Sequence, residues 1–506
     1  MVNNLAGATF ATGSVVNLGS GSLINSGRLD IGGVGNVVTT SLTGNFLQNK
    51  TGTYAVDVRF GGASDLLAVK GIAEVRGTIE PHLLSLLPNT PATILTATNG
   101  FVATNDVTAI NSPTVTYGVQ FVGNSLQLVA LQAQFVSPVF AAFLTPNELA
   151  VANQLQGIFN AGATPGLGPA FAFLANLTDP QTYAQVLDRL HPGPYLAQAV
   201  ISTFTGLGFV DSMLSCHLPT GPYAPLTEVP CDWAKLTGSF SSQGSSSSST
   251  GFRDQSARLQ AGRQVQLAPD WFGEFAFGYE TGRTTSGTFA TTSADRYDFG
   301  GAIKHQIGPW LFAAALDAGY EKLNTTRDIN FAGVTAATSA PSVWRLDSRF
   351  RAAYVVESNG LYVKPSLDLD TIYTAIPGFS EQGAGALGLN VAPANKVTFA
   401  ATPTIELGET WLLANGSALR PYIRGGATVF SNNTWSLNST FEGAPAGVAP
   451  FTTLSTLPQT LWKVSAGIDI FAIAGIPNLD LRLEYEGRFG ASYNDQTGLV
   501  KLSRRF

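Results

Sequence analysis

The sequence predicts an all-β membrane protein whose second half closes into a transmembrane β-barrel. Only 12% of the 506 residues are charged, about half the share that is usual in a soluble protein. No stretch stands out as a membrane-spanning helix, because the best candidate, residues 190–210, is interrupted by Pro192, Pro194, Gly206 and Gly208. Long segments of alternating apolar and polar residues instead recur up to the last residue. Such alternation turns one face of a strand toward lipid and the other toward a wet lumen.

One segment near the end of the chain shows the alternation most clearly. Its apolar face carries Leu479, Leu481, Leu483, Tyr485 and Phe489, and its other face carries Asp480, Arg482, Glu484, Glu486 and Arg488. A soluble β-sandwich also alternates, but its strands usually span only about 5 to 6 residues. The length of the pattern therefore favours a membrane barrel.

About twelve such strands can be drawn between residues 233 and 506, an even number as in single-chain outer-membrane barrels. Short turns such as Gly308-Pro309 alternate with long segments that we predict to be polar loops, 324–342 and 432–458, and the serine-rich segment 241–250 is predicted to be exposed. The polar faces predict charges inside the lumen: Arg345, Asp347, Arg349, Arg351, Lys364, Asp368, Asp370, Arg482, Glu484, Glu486 and Arg488.

Residues 1–140 have a different pattern, with short alternating runs separated by Gly and Asn. Three such runs are 22–32, 54–58 and 69–79. Short strands without helical periodicity predict a parallel β-helix, in which stacked rungs bury a continuous core. A plain β-sandwich is the alternative.

Residues 141–232 form a helical linker in this interpretation. Thr145-Pro146 and Asp179-Pro180 are helix starts, and a mostly apolar third helix follows from Tyr195 to Leu214. About 20 residues at 1.5 Å each would span about 30 Å. That helix could lie along the barrel lumen, or the whole stretch could be a spacer packed on itself.

The two cysteines, Cys216 and Cys231, have a spacing that suits a loop-closing disulfide in an oxidising compartment, with two free thiols as the alternative. A zinc site would lack ligands, because His217 is the only histidine nearby. The net charge of −6 argues against nucleic acid as a partner. The first residues show no signal-peptide pattern, so we expect the true start to lie upstream or this chain to be part of a longer gene.

No pattern of catalytic residues or cofactor ligands is visible, and we predict that the chain is not an enzyme and binds no cofactor. The run from Gly383 to Gly388 fits a dinucleotide-binding pattern, but no strand-turn-helix unit surrounds it. The pairs Asp368/Asp370 and Glu484/Glu486 are neighbours on a lumen face, which predicts solvated ion-pair partners rather than an acid and a base.

Several segments, in their order along the chain, resemble the C-terminal part of type V autotransporters. Residues 145–152 resemble the linker helix of that family, and 183–190 with Pro194-Tyr195 resemble its next segment. Residues 271–279 resemble a barrel strand and 499–506 the last strand, while 65–71 with Gly77-Thr78 resemble the end of a pertactin-like β-helical passenger.

The resemblance implies a 12-stranded transmembrane β-barrel with an N-terminal lumen helix, preceded by a short parallel β-helix passenger remnant. It implies a translocator in the bacterial outer membrane that exports its passenger and displays it at the cell surface. The partners it implies are outer-membrane lipid, the barrel-assembly machinery, periplasmic chaperones and the chain's own passenger. The C-terminal assembly signal would be Val500, Leu502 and Phe506, and Arg504 departs from it, since the family favours an aromatic or apolar residue there.

Two other functions remain open at this point. One is a passive, porin-like channel with an extra domain. The other is a surface adhesin or enzyme whose active part lies in a missing N-terminal passenger.

Overall fold

The computed structural model describes residues 1–102, 106–219, 226–413, 418–473, 476 and 478–506. Within these ranges, no helix combines the length and the apolar composition that crossing a bilayer requires. Three regions follow one another: a stack of short strands, a helical stretch and a set of long strands.

The first region is a stack of short strands that pair mostly in parallel. The strands are β1 (Val2–Asn4), β2 (Thr9–Thr12), β3 (Val15–Asn25), β4 (Arg28–Ile31), β5 (Thr39–Gln48), β6 (Thr53–Arg59), β7 (Leu66–Val69), β8 (Ala73–Val75), β9 (Gly77–Ser85), β10 (Ala92–Ala97), β11 (Val107–Ala109), β12 (Val115–Val122) and β13 (Ser125–Ala133). One sheet has the order β1-β3-β5-β7-β10-β13-β12 and the other has β11-β9-β6-β4-β2. The prediction of a parallel β-helix is confirmed, and a sandwich is excluded.

Stacked side chains fill the interior of this β-helix. Leu29, Tyr54 and Ile79, each 25 residues after the last, lie at matching positions of neighbouring parallel strands and are fully buried. Beside them runs a buried amide ladder, in which Asn4 donates to Asn25 at 2.7 Å and Asn25 donates to Gln48 at 3.0 Å. The ladder satisfies polar groups that the stack would otherwise leave unpaired. The antiparallel hairpin β12–β13 ends the stack.

The second region is helical. Its helices are α1 (Pro138–Ala141), α2 (Pro146–Asn160), α3 (Gly168–Asn176), α4 (Pro180–Asp188) and α5 (Gly193–Met213). Thr145 caps α2 and forms a capping box with Glu148, and Asp179 caps α4. Helix α3 is not predicted by the sequence pattern, because its run Gly-Pro-Ala-Phe-Ala-Phe-Leu-Ala-Asn is mostly apolar and has no clear polar face.

The third region consists of long strands with short strands between them. In chain order they are β14 (His217–Pro219), β15 (Leu226–Glu228), β16 (Cys231–Gln243), β17 (Phe252–Ala268), β18 (Trp271–Ser286), β19 (Ala290–Ile307), β20 (Trp310–Phe331), β21 (Val334–Ser339), β22 (Ser342–Tyr354), β23 (Val356–Ser358), β24 (Leu361–Ile376), β25 (Phe379–Ser380), β26 (Leu389–Val391), β27 (Ala394–Glu409), β28 (Trp411–Leu412), β29 (Ala418–Phe430), β30 (Thr434–Phe441), β31 (Phe451–Thr456), β32 (Thr460–Phe471), β33 (Leu479–Gly490) and β34 (Tyr493–Arg505).

Twelve of these strands close into one antiparallel barrel. They are β16, β17, β18, β19, β20, β22, β24, β27, β29, β32, β33 and β34. Each pairs with its neighbour along the chain, and β16 pairs with β34 over thirteen residues, which closes the ring. Outward positions are apolar and exposed, as at Phe299, Leu316 and Leu346, while the positions between them are buried. The predicted 12-stranded barrel is confirmed.

The two ends of the barrel differ. At the lower end, strands are joined by short turns such as 269–270 and 308–309, and at the upper end several connections are long. Two of the predicted polar loops are wrong. In the segment 324–342, β20 continues to Phe331 and β21 folds back onto it. In the segment 432–458, β30 and β31 form a hairpin that joins β25 and β26 in a four-stranded sheet.

The prediction of a loop at 432–458 was wrong because small polar residues obscure the alternation of apolar and polar residues along β30. Trp435, Leu437 and Phe441 lie on one buried face of β30, with Ser, Asn and Thr between them. The serine-rich segment is likewise less exposed than predicted. Ser249 is buried, and its hydroxyl lies 3.5 Å from that of Ser455 on β31.

The β-helix, the helices and the upper end of the barrel share one apolar core. Asn147 of α2 donates to the carbonyl of Leu454 at 2.8 Å and accepts from its amide at 2.9 Å. Asn176 of α3 exchanges the same two kinds of bond with Leu83 of β9. The helical region therefore joins the β-helix to the upper end of the barrel.

Candidate functional site

Helix α5 lies inside the barrel and is the centre of the candidate site. Its 21 residues give a length of about 31 Å, and all of them are buried or half-buried. The helix enters at the upper end and finishes near the lower end, where Cys216 follows it. Its backbone lies nearest to β17, β18, β19, β20, β22 and β24, and longer side chains reach it from β16 at Lys235 and from β34 at Tyr493. The helix is therefore off-centre and packs on one side of the lumen.

The first turn of α5 is held by polar contacts at the upper end. The hydroxyl of Tyr195 lies 2.7 Å from that of Ser339 and donates to Glu381 at 2.9 Å. Glu381 is also the ion-pair partner of Arg327. One turn further along, Gln198 donates to Thr284 at 2.8 Å. These contacts fix the height and rotation of the helix at its entry.

A buried charge cluster lies beside the middle of α5. The guanidinium of Arg345 forms ion pairs with Asp317 at 3.0 Å and Glu321 at 3.2 Å, and also with Asp298 and Asp347. The same guanidinium donates to the carbonyl of Ser202 on α5 at 3.2 Å. Since an unpaired buried charge costs several kcal/mol, the cluster depends on all of these partners being present.

Near the lower end, α5 contributes a charge of its own. Asp211 accepts from Arg351 at 2.6 Å and from Arg349 at 3.3 Å. These two arginines are paired in turn with Asp368 and Asp370, each at 2.6 Å. Asp211 thus connects the helix to ion pairs between β22 and β24, whose members the sequence predicted to face the lumen.

The wall behind the lower half of α5 is apolar and built from small residues. Phe209 and Met213 pack with inward-facing Ala276, Ala302, Ala313 and Ala315. A Cβ at Gly300 would lie 2.9 Å from both Phe209 and Met213, so only glycine leaves room there. This socket of small residues accepts the two large side chains of the helix.

The predicted lumen charges fall into two groups on opposite walls. One group lies on β22 and β24, on the wall that α5 contacts: Arg345, Asp347, Arg349, Arg351, Lys364, Asp368 and Asp370. The other group lies across the lumen on β33: Arg482, Glu484, Glu486 and Arg488. On β33, Arg482 pairs with Asp469 at 2.6 Å and Glu486 with Lys463 at 2.9 Å. Glu484 lies 3.8 Å from Arg424, and Arg488 pairs with Glu486 at 2.7 Å.

The structure joins Cys216 and Cys231 as a disulfide, with the two Cα atoms 6.4 Å apart. Cys216 follows α5, and Cys231 is the first residue of β16. The bond therefore ties the lower end of the helix to the first barrel strand. Residues 220–225 of the loop between them, with Gly221, Pro222 and Pro225, lie outside the described residues.

The C-terminal residues Val500, Leu502 and Phe506 are all exposed on the outer face of the barrel. Arg504 lies on that same face. The ring of Phe506 is covered by the guanidinium of Arg263, 4.8 Å from the ring centre.

Several residues of the site were missed by sequence reasoning. They are Asp211, Arg258, Glu280, Arg296, Glu321, Arg327 and Glu381. The sequence predicted the strands that carry Arg258, Glu280 and Arg296. These residues lie at inward positions, so the alternation of apolar and polar residues along the strands could have identified them. Asp211 is the one charged residue of α5, and a single carboxylate in an otherwise uncharged helix could have indicated a buried ion pair.

A closed barrel with an apolar outer face, a charged lumen and a helix threaded through it defines the class of outer-membrane β-barrel proteins. Residues 233–486 match the autotransporter β-domain family, and the chain belongs to this family. It is an outer-membrane translocator that exports an attached passenger and displays it at the cell surface. The upper end of the barrel therefore faces the cell exterior and the lower end faces the periplasm.

Solved structures with a similar fold include three autotransporter domains. The translocator domain of NalP from Neisseria meningitidis is 14% identical, with 62% of this chain and 98% of that chain covered and a TM-score of 0.48. The β-domain of Brka from Bordetella is 15% identical (55% and 100% covered, TM-score 0.42). The transport unit of AIDA-I from Escherichia coli is 12% identical (59% and 97%, TM-score 0.41). No curated protein matches the chain.

Proposed function

We propose that the chain works as a display anchor in which three parts divide the task. Residues 233–506 hold the chain in the outer membrane, residues 141–232 thread the lumen and cover its upper end, and residues 1–140 are the displayed part of the passenger. The passenger stays joined to the barrel through α5.

The position of α5 carries this proposal. The helix links a β-helix above the barrel to the first barrel strand at the lower end, so the chain crosses the membrane inside the lumen. Contacts at Tyr195, Arg345 and Asp211 hold it at three heights. A segment bound in this way is suited to close the pore after export.

We also propose that the described part of the chain is a carrier and not an enzyme. The adjacent carboxylates Asp368 and Asp370, the best candidates for an acid and a base, are engaged by Arg351 and Arg349. Carboxylates held in ion pairs are poorly suited to proton transfer at neutral pH.

Surface labelling of intact cells tests the display proposal. An epitope tag inserted after Val34, an exposed residue of the β-helix, should bind antibody on intact cells and disappear after external protease. A matched tag between Pro269 and Asp270, in a turn at the lower end, should bind antibody only after the outer membrane is permeabilised. Equal labelling of both tags on permeabilised cells shows equal expression. A Val34 tag that is hidden on intact cells would contradict the proposal.

We further propose that the barrel-assembly machinery and periplasmic chaperones handle this chain through its C-terminal residues. The exposed outer positions of Val500, Leu502 and Phe506 support this proposal, since the assembly machinery could bind these side chains from the lipid side. Deletion of Phe506 should lower the fraction of barrel that migrates as folded without heating. Arg504→Phe should raise that fraction. Unchanged folded fractions in both variants would contradict the proposal.

A further inference from the structure

A cavity in the lower half of the lumen is richer in basic than in acidic side chains. It lies on the side of the lumen that α5 leaves open, and we call it the basic chamber. Seven basic side chains line it, against four acidic ones: Lys235, Arg351, Lys364, Arg424, Lys463, Arg482 and Lys501 against Asp211, Asp368, Glu406 and Glu484. The chamber therefore has an excess of positive charge.

Three of the basic residues are direct cross-strand neighbours. Lys235 of β16 is opposite Lys501 of β34, and Lys501 is opposite Arg482 of β33. Like charges at directly opposed positions destabilise a sheet. Arg482 is neutralised by Asp469 at 2.6 Å, which leaves the two lysines as adjacent positive charges.

The hydrogen bonds of both lysines go to neutral oxygen atoms, and Nζ of Lys501 also lies over the ring of Trp233, 5.0 Å from its centre. Nζ of Lys501 donates to the carbonyl and the hydroxyl of Ser215, each at 2.7 Å, and Nζ of Lys235 donates to the hydroxyl of Ser212 at 2.9 Å. Within the part of the chain that the structure describes, no carboxylate lies within ion-pair distance of either ammonium group. Lys501 is nevertheless only 2% exposed.

The acidic residues of the chamber are already engaged elsewhere. Asp211 and Asp368 accept from Arg351, and Glu484 accepts from Tyr422. These carboxylates are therefore held away from the lysines. A buried ammonium group without a counter-charge is costly, so a mobile anion is the group that would balance the pair.

We propose that Lys235 and Lys501 form an anion site in the periplasmic half of the lumen, and that its ligand is a small oxyanion of the phosphate class. The two ammonium groups supply charge-assisted hydrogen bonds, and the hydroxyl oxygens of Ser212 and Ser215 accept from these lysines and hold them at the α5 side of the site. Ser212 lies in the last turn of α5 and Ser215 just beyond it, so the anion would bind where the two lysines already join the lower end of the helix region to β16 and β34. The site does not depend on passenger export, so either proposal can fail alone.

Calorimetric titration of the purified full-length protein in detergent tests the site. Sodium phosphate is titrated against sodium chloride at equal ionic strength. The wild-type protein should bind one phosphate, and Lys501→Gln should weaken binding by about tenfold or more, because hydrogen bonds to charged groups typically contribute 1.5–3 kcal/mol. The double variant Lys235→Gln/Lys501→Gln should abolish binding.

Two variants serve as controls. Lys322→Gln removes one positive charge from the outer face of the barrel and should leave phosphate affinity unchanged. Lys501→Arg keeps the charge and should retain binding to within a few fold. Heat-dependent gel migration verifies that each variant is folded. Absence of phosphate binding by the wild-type protein, or equal binding by the folded double variant, would overturn the proposal.

Discussion

Gly206 of α5 lies directly against the carboxylate of Asp347 on the inner wall of the barrel, with no space for a Cβ between them. Asp347 is held by Arg345, which also binds the backbone of the helix. The close approach of backbone and wall therefore depends on a glycine at this position.

Gly206→Ala should displace α5 from the wall. Overpacking a closely packed contact typically costs about 1–3 kcal/mol, and here it also disturbs the ion pairs of Arg345. We expect a lower thermal unfolding temperature and more frequent pore opening in planar-bilayer recordings. Gly157→Ala in α2 is the matched control, because its Cβ would meet Val448 at an ordinary 3.6 Å. That change should stabilise its helix by about 0.5–1 kcal/mol, and equal effects of the two variants would contradict the interpretation.

Asn25→Ala should destabilise the β-helix. The Asn25 side chain accepts from Asn4 and donates to Gln48 and to the carbonyl of Thr53, all in the buried ladder. Its loss leaves those groups unpaired, at a cost of about 1–3 kcal/mol each in comparable cases. Hydrogen exchange of the amides of β3 and β5 should accelerate in the full-length protein. The control Asn36→Ala, at an exposed turn, should change the exchange rates little. Unchanged exchange rates in Asn25→Ala would show that the ladder contributes no stability.

Helix α2 should be more stable at pH 5 than at pH 8. Burial, together with the nearby carboxylate of Asp188, raises the pKa of Glu148 to about 7, from a usual value near 4.5. Because the folded-state pKa is the higher one, the folded state binds more protons between pH 4.5 and 7, and stability falls as pH rises through that window. The total loss is on the order of 2 kcal/mol.

Glu148→Gln keeps the capping box and removes the titration. Hydrogen exchange of the α2 amides, corrected for the intrinsic effect of pH, should then become nearly independent of pH. Glu442→Gln changes an exposed carboxylate of the upper end and should preserve the wild-type dependence. Persistence of that dependence in Glu148→Gln would assign it to another group.

Removal of both cysteines by Cys216→Ser/Cys231→Ser should lower thermal stability. The disulfide closes a loop of 15 residues, which in the chain-entropy model corresponds to about 3 kcal/mol. We expect a drop of several degrees in the unfolding temperature in detergent. A reducing agent should reproduce the drop in the wild-type protein and have no effect on the variant. An unchanged unfolding temperature would show that the wall contacts of α5 suffice to hold its lower end.

The period-two alternation predicted the barrel well because lipid and water impose opposite demands on the two faces of each strand. It predicted the inward direction of residues such as Arg349 and Asp370, yet it could not tell which charges would pair, because partners such as Asp211 come from a helix more than a hundred residues away. It also gave no sign of the socket for Phe209, since Ala302 and Gly300 look neutral in a strand. Burial by a threaded helix is a tertiary effect that local patterns do not encode.

The common apolar core of the β-helix, α2, α3 and the β30–β31 hairpin has a directional consequence. These parts lie above the barrel, while α5 and the polar contacts around it occupy one side of the interior. Once they have met, pulling the polypeptide back toward the periplasm would require dismantling that assembly. The assembly above the barrel thus opposes movement of the chain back into the periplasm. It needs no external source of chemical energy to keep the exported segment on the far side of the membrane.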